Sequence, residues 1–279
     1  MKNHAGSGRP WLRPACRHKH LDDMEIIIQP TPAAATAVAA RMLAGLIRKK
    51  PAAVLGLATG RTPEALYLEL VDLKLDWSRI TTFNLDEYVG IPARHPQSYH
   101  TFMMEKLFGS VNISRKRIHM LDGQARNIPA LCERYEREIR AAGGIDLQLL
   151  GIGTDGHIGF NEMSSSLASR TRIKTLTPRT RRDNARYFGG QDKVPHHVIT
   201  MGIGTILEAR HCLLLALGKK KARAIADAIE GPVSAMNPAS ALQLHPNVTV
   251  CLDREAASAL KLRDYYQWAY ANKPPWQKI

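Results

Sequence analysis

The sequence predicts an α/β fold of three layers, an open and mostly parallel sheet with helices on both faces. Three observations carry that reading. From Met24 onward, short apolar runs alternate with segments of helical period, the pattern of strand–helix–strand crossovers. The runs are apolar, as strands covered on both faces are. Four of them are followed directly by polar or glycine-rich loops, and in such sheets ligands bind beyond the carboxyl ends of strands.

Taken in order, Met24 to Ile28 reads as the first strand, and Ala33 to Lys49 as a helix on the spacing of Val38, Met42, Leu43 and Leu46. Ala52 to Leu57 reads as a strand and Pro63 to Leu73 as the helix after it. Ile80 to Leu85 is a strand, then comes a polar loop, then a helix near Tyr99 to Leu107. Ile118 to Leu121, Asp146 to Ile152, His197 to Met201, Cys212 to Leu217 and Val248 to Leu252 complete the strands, with helices at Ile128 to Ala142 and Lys221 to Glu230. Residues 24–279 form one domain in this reading.

Residues 1–23 differ. Gly6, Gly8, Pro10, Pro14 and several basic residues, with no apolar period, read as a disordered leader, dispensable for catalysis. No apolar stretch follows the positive end, which argues against a secretory signal. Arginine content leaves a transit peptide open, against which stands a single serine.

The chain has 279 residues, 44% of them hydrophobic, enough for one core without metals or disulfides. It contains no run of 18 apolar residues, so no membrane span is expected. Cys16, Cys132, Cys212 and Cys251 are scattered with no CxxC pair, which argues against a zinc site and for a reducing, cytoplasmic compartment. The net charge of +14 favours anionic partners. The basic clusters run from Arg170 to Arg186 and from Lys219 to Arg223. They lack the interleaved aromatic residues of a single-strand platform, so nucleic acid is not expected; a phosphorylated metabolite, an acidic membrane surface and plain solubility stay open.

The loop Ala58-Thr59-Gly60-Arg61-Thr62-Pro63 opens a helix, with Thr62 as the expected cap and free N–H groups for an anion; an ordinary strand-to-helix turn explains it equally well. In Asn84-Leu85-Asp86-Glu87-Tyr88, the two adjacent acids could bind a metal, act as a base or be solvated; at a strand end they point to opposite sides, so at most one faces the site. The stretch Gly151 to Glu162 places His157 between Asp155 and Glu162 among four glycines. Histidine exchanges protons near neutral pH, and a carboxylate orients it. With one histidine, a metal is the weaker reading. Leu217-Gly218-Lys219-Lys220-Lys221 offers one lysine for phosphate and two for solvent. These four loops are expected to converge on one site.

At these residues the chain resembles the glucosamine-6-phosphate deaminases, from Met24 to the region of Tyr266. The matching stretches are GLATGRTPEALY, TFNLDEYVGI with HPQSYHTFM, LLGIGTDGHIGFNE, SSSLASRTRIKTLTPRTRRDNARYF, LALGKKKA and LQLHP. The resemblance implies a modified Rossmann-like sheet of the phosphosugar-isomerase type. It implies ring opening, aldose–ketose isomerisation and hydrolytic loss of ammonia, giving fructose 6-phosphate from glucosamine 6-phosphate without a cofactor, since no redox step occurs. Asp86 looks like the base between C2 and C1, and His157 like the ring-opening group, tuned by Asp155 and Glu162. Thr59, Gly60, Thr62, Arg186 and Lys221 look like the phosphate cradle, joined by the backbone N–H of Arg61. Arg61 stands where the family is expected to carry a small residue. Ser165, Arg172, Lys174 and Thr175 resemble the N-acetylglucosamine 6-phosphate effector site of allosteric members, which implies a homo-oligomer, a hexamer. The rivals are a galactosamine-6-phosphate deaminase using the same residues, 6-phosphogluconolactonase with a similar loop, and a non-catalytic phosphosugar sensor. The Asn161-Glu162 ending and the LASRTRIK stretch favour the deaminase over the lactonase.

Overall fold

The computed structural model describes residues 24–274 and 277; the leader expected at 1–23 lies outside them. Seven parallel strands form the main sheet: β1 (Met24–Gln29), β2 (Val54–Leu57), β3 (Thr81–Asn84), β5 (Ile118–His119), β6 (Leu147–Leu150), β9 (Cys212–Ala216) and β10 (Val248–Asp253). Their order is β1-β10-β9-β6-β2-β3-β5. The chain winds from β2 outward through β3 and β5, returns to β6 on the other side of β2, and continues through β9 and β10. The loops leaving β2 and β6 therefore diverge at neighbouring carboxyl ends, which opens a crevice at that switch point.

The covering helices are set by local signals. In α1 (Pro32–Lys49), Thr31 accepts the Ala34 N–H, Pro32 sits in the first turn, and Ala39, Leu43 and Ile47 are buried on one face. This follows the preference for a hydroxyl N-cap and a proline just inside it. α2 (Arg61–Asp72) buries Leu66, Tyr67 and Leu70. α3 (Tyr99–Lys106) is capped by Ser98, and α4 (Ile128–Ala141) by Asn127, with Leu131, Tyr135 and Ile139 buried. α7 (Ala222–Ile229) follows a 3-10 turn at Lys219–Lys221.

Two expectations are corrected. His197–Met201 is a strand, β8 (His197–Thr200), but it does not join the main sheet. It lies between β4 (Asp86–Tyr88) and β7 (Arg172–Thr175) in a separate antiparallel sheet. The polar loop expected from Asp86 to Ser98 thus begins as a strand. This sheet covers a small core of Tyr88, Phe160, Leu176, Val194 and Val198, with Tyr99 and Phe188 against it. From its β7 edge runs α5 (Pro178–Phe188), capped by Thr177 at its start and by Gly189 in left-handed geometry at its end. The short α6 (Ile203–Leu207) leads into β9, and α8 (Arg263–Ala271) packs beside β1. No helix among the described residues is long and apolar enough to cross a membrane.

Candidate functional site

The four loops meet. A cleft of about 870 Å³ is lined by Ala58 to Pro63 after β2, Leu85 and Asp86 after β3, Gly151 to Thr154, His157, Gly159 and Phe160 after β6, and Leu217 to Lys221 after β9. A fifth contributor is α5, of which the sequence reading named only Arg186, through the family resemblance: it supplies Thr180, Asp183, Asn184, Arg186 and Tyr187, and Tyr99 reaches in from α3.

At the β2 end, Gly60 takes φ +102° and is itself the residue before the helix, with no side-chain cap. The expectation of Thr62 as cap is therefore corrected. Glycine's tolerance of positive φ lets the chain enter the helix two residues earlier, so Arg61 and Thr62 lie in its first turn with unpaired N–H groups, an anion site. The Tyr67 hydroxyl donates to the Ala58 carbonyl and pins the loop from below. Thr59, Gly60, Arg61 and Thr62 all line the cleft.

Lys221 and Arg186 face this loop from two other elements. Burial pushes the Lys221 ammonium below its usual range; Asp155 and Asp183 push it back, and Arg186 repels it further. Two cations from different elements that repel each other at a helix start are arranged for an anion. Arg186 is held by a hydrogen bond from Nη2 to the Tyr187 hydroxyl at 2.8 Å, its guanidinium 4.7 Å from that ring's centre.

At the β3 end the adjacent acids part, as strand alternation requires. Asp86 faces the cleft. Burial, and then the neighbouring Glu87 charge, hold its carboxyl well above the usual carboxylate range. Glu87 turns away and accepts the backbone N–H groups of Tyr88, Tyr99 and His100 at 2.9 to 3.0 Å, fastening α3 to β4.

In the loop after β6, Asp155 Oδ1 lies 2.6 Å and Glu162 Oε2 4.0 Å from His157 Nδ1. Burial works against the Asp155 charge, but hydrogen bonding to His157 and its positive charge prevail and bring that carboxyl down to about 2. Asp155 is thus a permanent anion beside the imidazole, and its Oδ1 also accepts the His157 backbone N–H at 3.3 Å. Glu162 is buried and accepts from the Thr177 N–H at 3.2 Å. The three donor atoms lie within 4.8 Å of one another, a spacing that suits a cation as well as a shared proton.

The residues Ser165, Arg172, Lys174 and Thr175 lie away from the cleft, on and before β7. Ser165 is buried, and its Oγ has no hydrogen-bond partner among the described residues. Arg172 and Lys174 are half-buried and share one face of β7, and burial lowers the pKa of both. Thr175 alternates to the other face with Ile173, away from that pair.

Residues 30–251 match the family described as glucosamine-6-phosphate isomerases/6-phosphogluconolactonase. A glucosamine-6-phosphate deaminase of Arthrobacter sp. (strain FB24) is 55% identical over 260 residues, 92% of this chain and all of the relative. One from Streptomyces avermitilis is 54% identical over 261 residues, again 92% of this chain and all of the relative. Among solved structures, one described as a monomeric glucosamine-6-phosphate deaminase superposes with a TM-score of 0.83 at 47% identity, covering 85% of this chain and all of its own. The 6-phosphogluconolactonase of Thermotoga maritima shares the fold at TM-score 0.67 and 23% identity, covering 83% of this chain and all of its own.

Proposed function

The chain belongs to the family of glucosamine-6-phosphate isomerases and 6-phosphogluconolactonases, and we infer that its cleft is an enzyme site that converts D-glucosamine 6-phosphate and water to D-fructose 6-phosphate and ammonia. One observation carries this beyond the relatives' names. A buried carboxyl of raised pKa and a carboxylate-tuned histidine open onto the same cleft, from loops after separate strands, and the cations and helix start of an anion cradle line that cleft too.

In this reading the cradle of Thr59, Gly60, Arg61, Thr62, Arg186 and Lys221 takes the 6-phosphate. His157, its imidazolium stabilised by Asp155 and Glu162, gives a proton to the ring oxygen as the bond from C1 to that oxygen breaks, and regains one from the anomeric hydroxyl. Asp86 takes the proton from C2 and returns it to C1; one carboxylate placed over both carbons suffices, and its raised pKa matches it to that task. The ketose imine then adds water and releases ammonia. Redox chemistry has no part in this sequence. Ammonia release from a panel of hexosamine 6-phosphates tests the reading. Turnover of glucosamine 6-phosphate supports it, preference for galactosamine 6-phosphate changes the sugar, and binding without turnover indicates a sensor.

The cradle makes its own forecast. Lys221→Ala or Arg186→Ala is expected to remove on the order of 2 kcal/mol of transition-state binding, about 30-fold in kcat/KM. Reaction of unphosphorylated glucosamine should change little, so an unaltered ratio between the two substrates contradicts the assignment.

The reading extends to regulation. An effector, N-acetylglucosamine 6-phosphate, would be held at Ser165, Arg172 and Lys174 with the backbone of Thr175, and a homo-hexamer in the cytoplasm would bring such sites together. The support is a buried hydroxyl at Ser165 without a partner among the described residues, and two cations on β7 that burial disfavours. The relative of 47% identity is described as monomeric, so assembly is the discriminating measurement. A monomer by light scattering, with hyperbolic kinetics indifferent to the acetylated sugar, rejects this extension and leaves the catalytic reading intact.

A further inference from the structure

We propose that Asn161 is a positioning residue of the reaction, the joint that fixes the loop bearing His157 and Glu162 to the strand beside Asp86 and to Arg172 beyond it. The proposal rests on the reading that His157 and Asp86 act on the same sugar.

Asn161 is fully buried, and its whole amide is used. Nδ2 donates to the carbonyl of Ile158 at 2.9 Å and to that of Met201 at 2.8 Å. Oδ1 accepts from Arg172 Nη1 at 2.8 Å. Ile158 follows His157 in the chain. Met201, at the end of β8, donates its N–H to the carbonyl of Leu85 at 2.7 Å, the residue before Asp86. One side chain thus ties the acid–base histidine to the strand pair that carries the base. A carboxylate of the same shape lacks both donors, and an aliphatic residue lacks all three contacts.

The small antiparallel sheet supplies the crossbar. Thr200 pairs with Asp86 on one side and with Arg172 on the other, and its Oγ1 accepts the Phe160 N–H at 3.0 Å. Gly159 adopts φ +56°; a Cβ there would stand 2.9 Å from Thr200 Oγ1 and 3.6 Å from Asp86 Oδ2. The loop is pressed against the sheet too closely for a side chain, so its position is set by β8 and by the Asn161 contacts. Arg172 completes the joint from outside. Among the described residues its two hydrogen-bond acceptors, Asn161 Oδ1 and the Arg170 carbonyl, are both neutral, so the guanidinium is drawn to the amide rather than to a carboxylate among them. Two groups that move protons on neighbouring parts of one sugar need a fixed spacing, and a 1 Å error costs about 10²-fold.

The test uses the full chain. Asn161→Asp is expected to lower kcat about 30-fold at pH 8 with KM within about threefold. Activity should partly return by pH 6, because a protonated carboxyl can donate one of the two lost bonds. Asn161→Ala should lose activity without that pH-dependent recovery. The imidazole titration of His157, followed by NMR, should be displaced in both variants, a change that loss of stability alone would not produce. Should neither variant fold, Arg172→Gln decides: it leaves Asn161 in place while removing the planar cation, and it should lower kcat about fivefold. A folded Asn161 variant with wild-type kcat and an unmoved His157 titration overturns the proposal, as does an Arg172→Gln protein of unchanged kcat in the fallback case. A wild-type protein that releases no ammonia overturns the catalytic reading instead, and the His157 titration still reports on the joint.

Discussion

Asp86→Asn is expected to reduce ammonia release by about 10³-fold or more while the protein still binds phosphorylated hexosamines, because the amide keeps the carboxylate's shape but cannot accept the C2 proton. Binding should survive because the proposed phosphate contacts come from the loop after β2, from α5 and from the turn after β9. The same carboxyl sets a pH dependence. Burial and Glu87 raise its pKa, and the ionised form is the base. As pH falls through that raised value the base is protonated and lost, so the acid limb of kcat/KM should lie above the usual carboxylate range near 4. Glu87→Gln, which removes the second of the two causes, should move that limb toward lower pH. Near-normal turnover by Asp86→Asn rules out its assignment as the base.

For His157→Gln the expected loss is about 10²-fold on the closed-ring aminosugar phosphate and much smaller on an open-chain analogue. The reason is division of labour. The proton that opens the ring sits on oxygen, the proton moved in isomerisation sits on carbon, and the two groups assigned to them come from loops after different strands. Asp155, with its carboxyl brought down to about 2, remains an anion at every pH where the enzyme works and steadies the imidazolium formed at His157. Glutamine can neither take up that proton nor respond to the anion. Equal losses on both substrates would mean that His157 serves a step they share, and the ring-opening role would fall.

The sequence by itself determined the parallel sheet, the order of its strands along the chain and the four loops at their carboxyl ends. Each of these is a local signal: an unbroken apolar run such as Cys212–Leu217, a helical spacing such as Val38, Met42, Leu43 and Leu46, or a glycine next to a polar turn. The histidine between two acids was equally plain, because twelve consecutive residues carry it. The tertiary structure alone decided the rest. Asp86–Tyr88 has no apolar alternation, and it is a strand only because β8 pairs with it from more than a hundred residues away. Pairing of that kind is paid for by non-local contacts and leaves no period in the sequence. Arg186 lines the same cleft as the loop after β2 only because α5 leaves the edge of that second sheet toward it. The early start of α2 at Arg61 depends on the positive φ of Gly60, a backbone choice that glycine permits but does not compel. Asn161 lay in plain view beside Glu162 in the sequence. Its three partners sit three, eleven and forty residues away, and only the folded chain brings them to one amide.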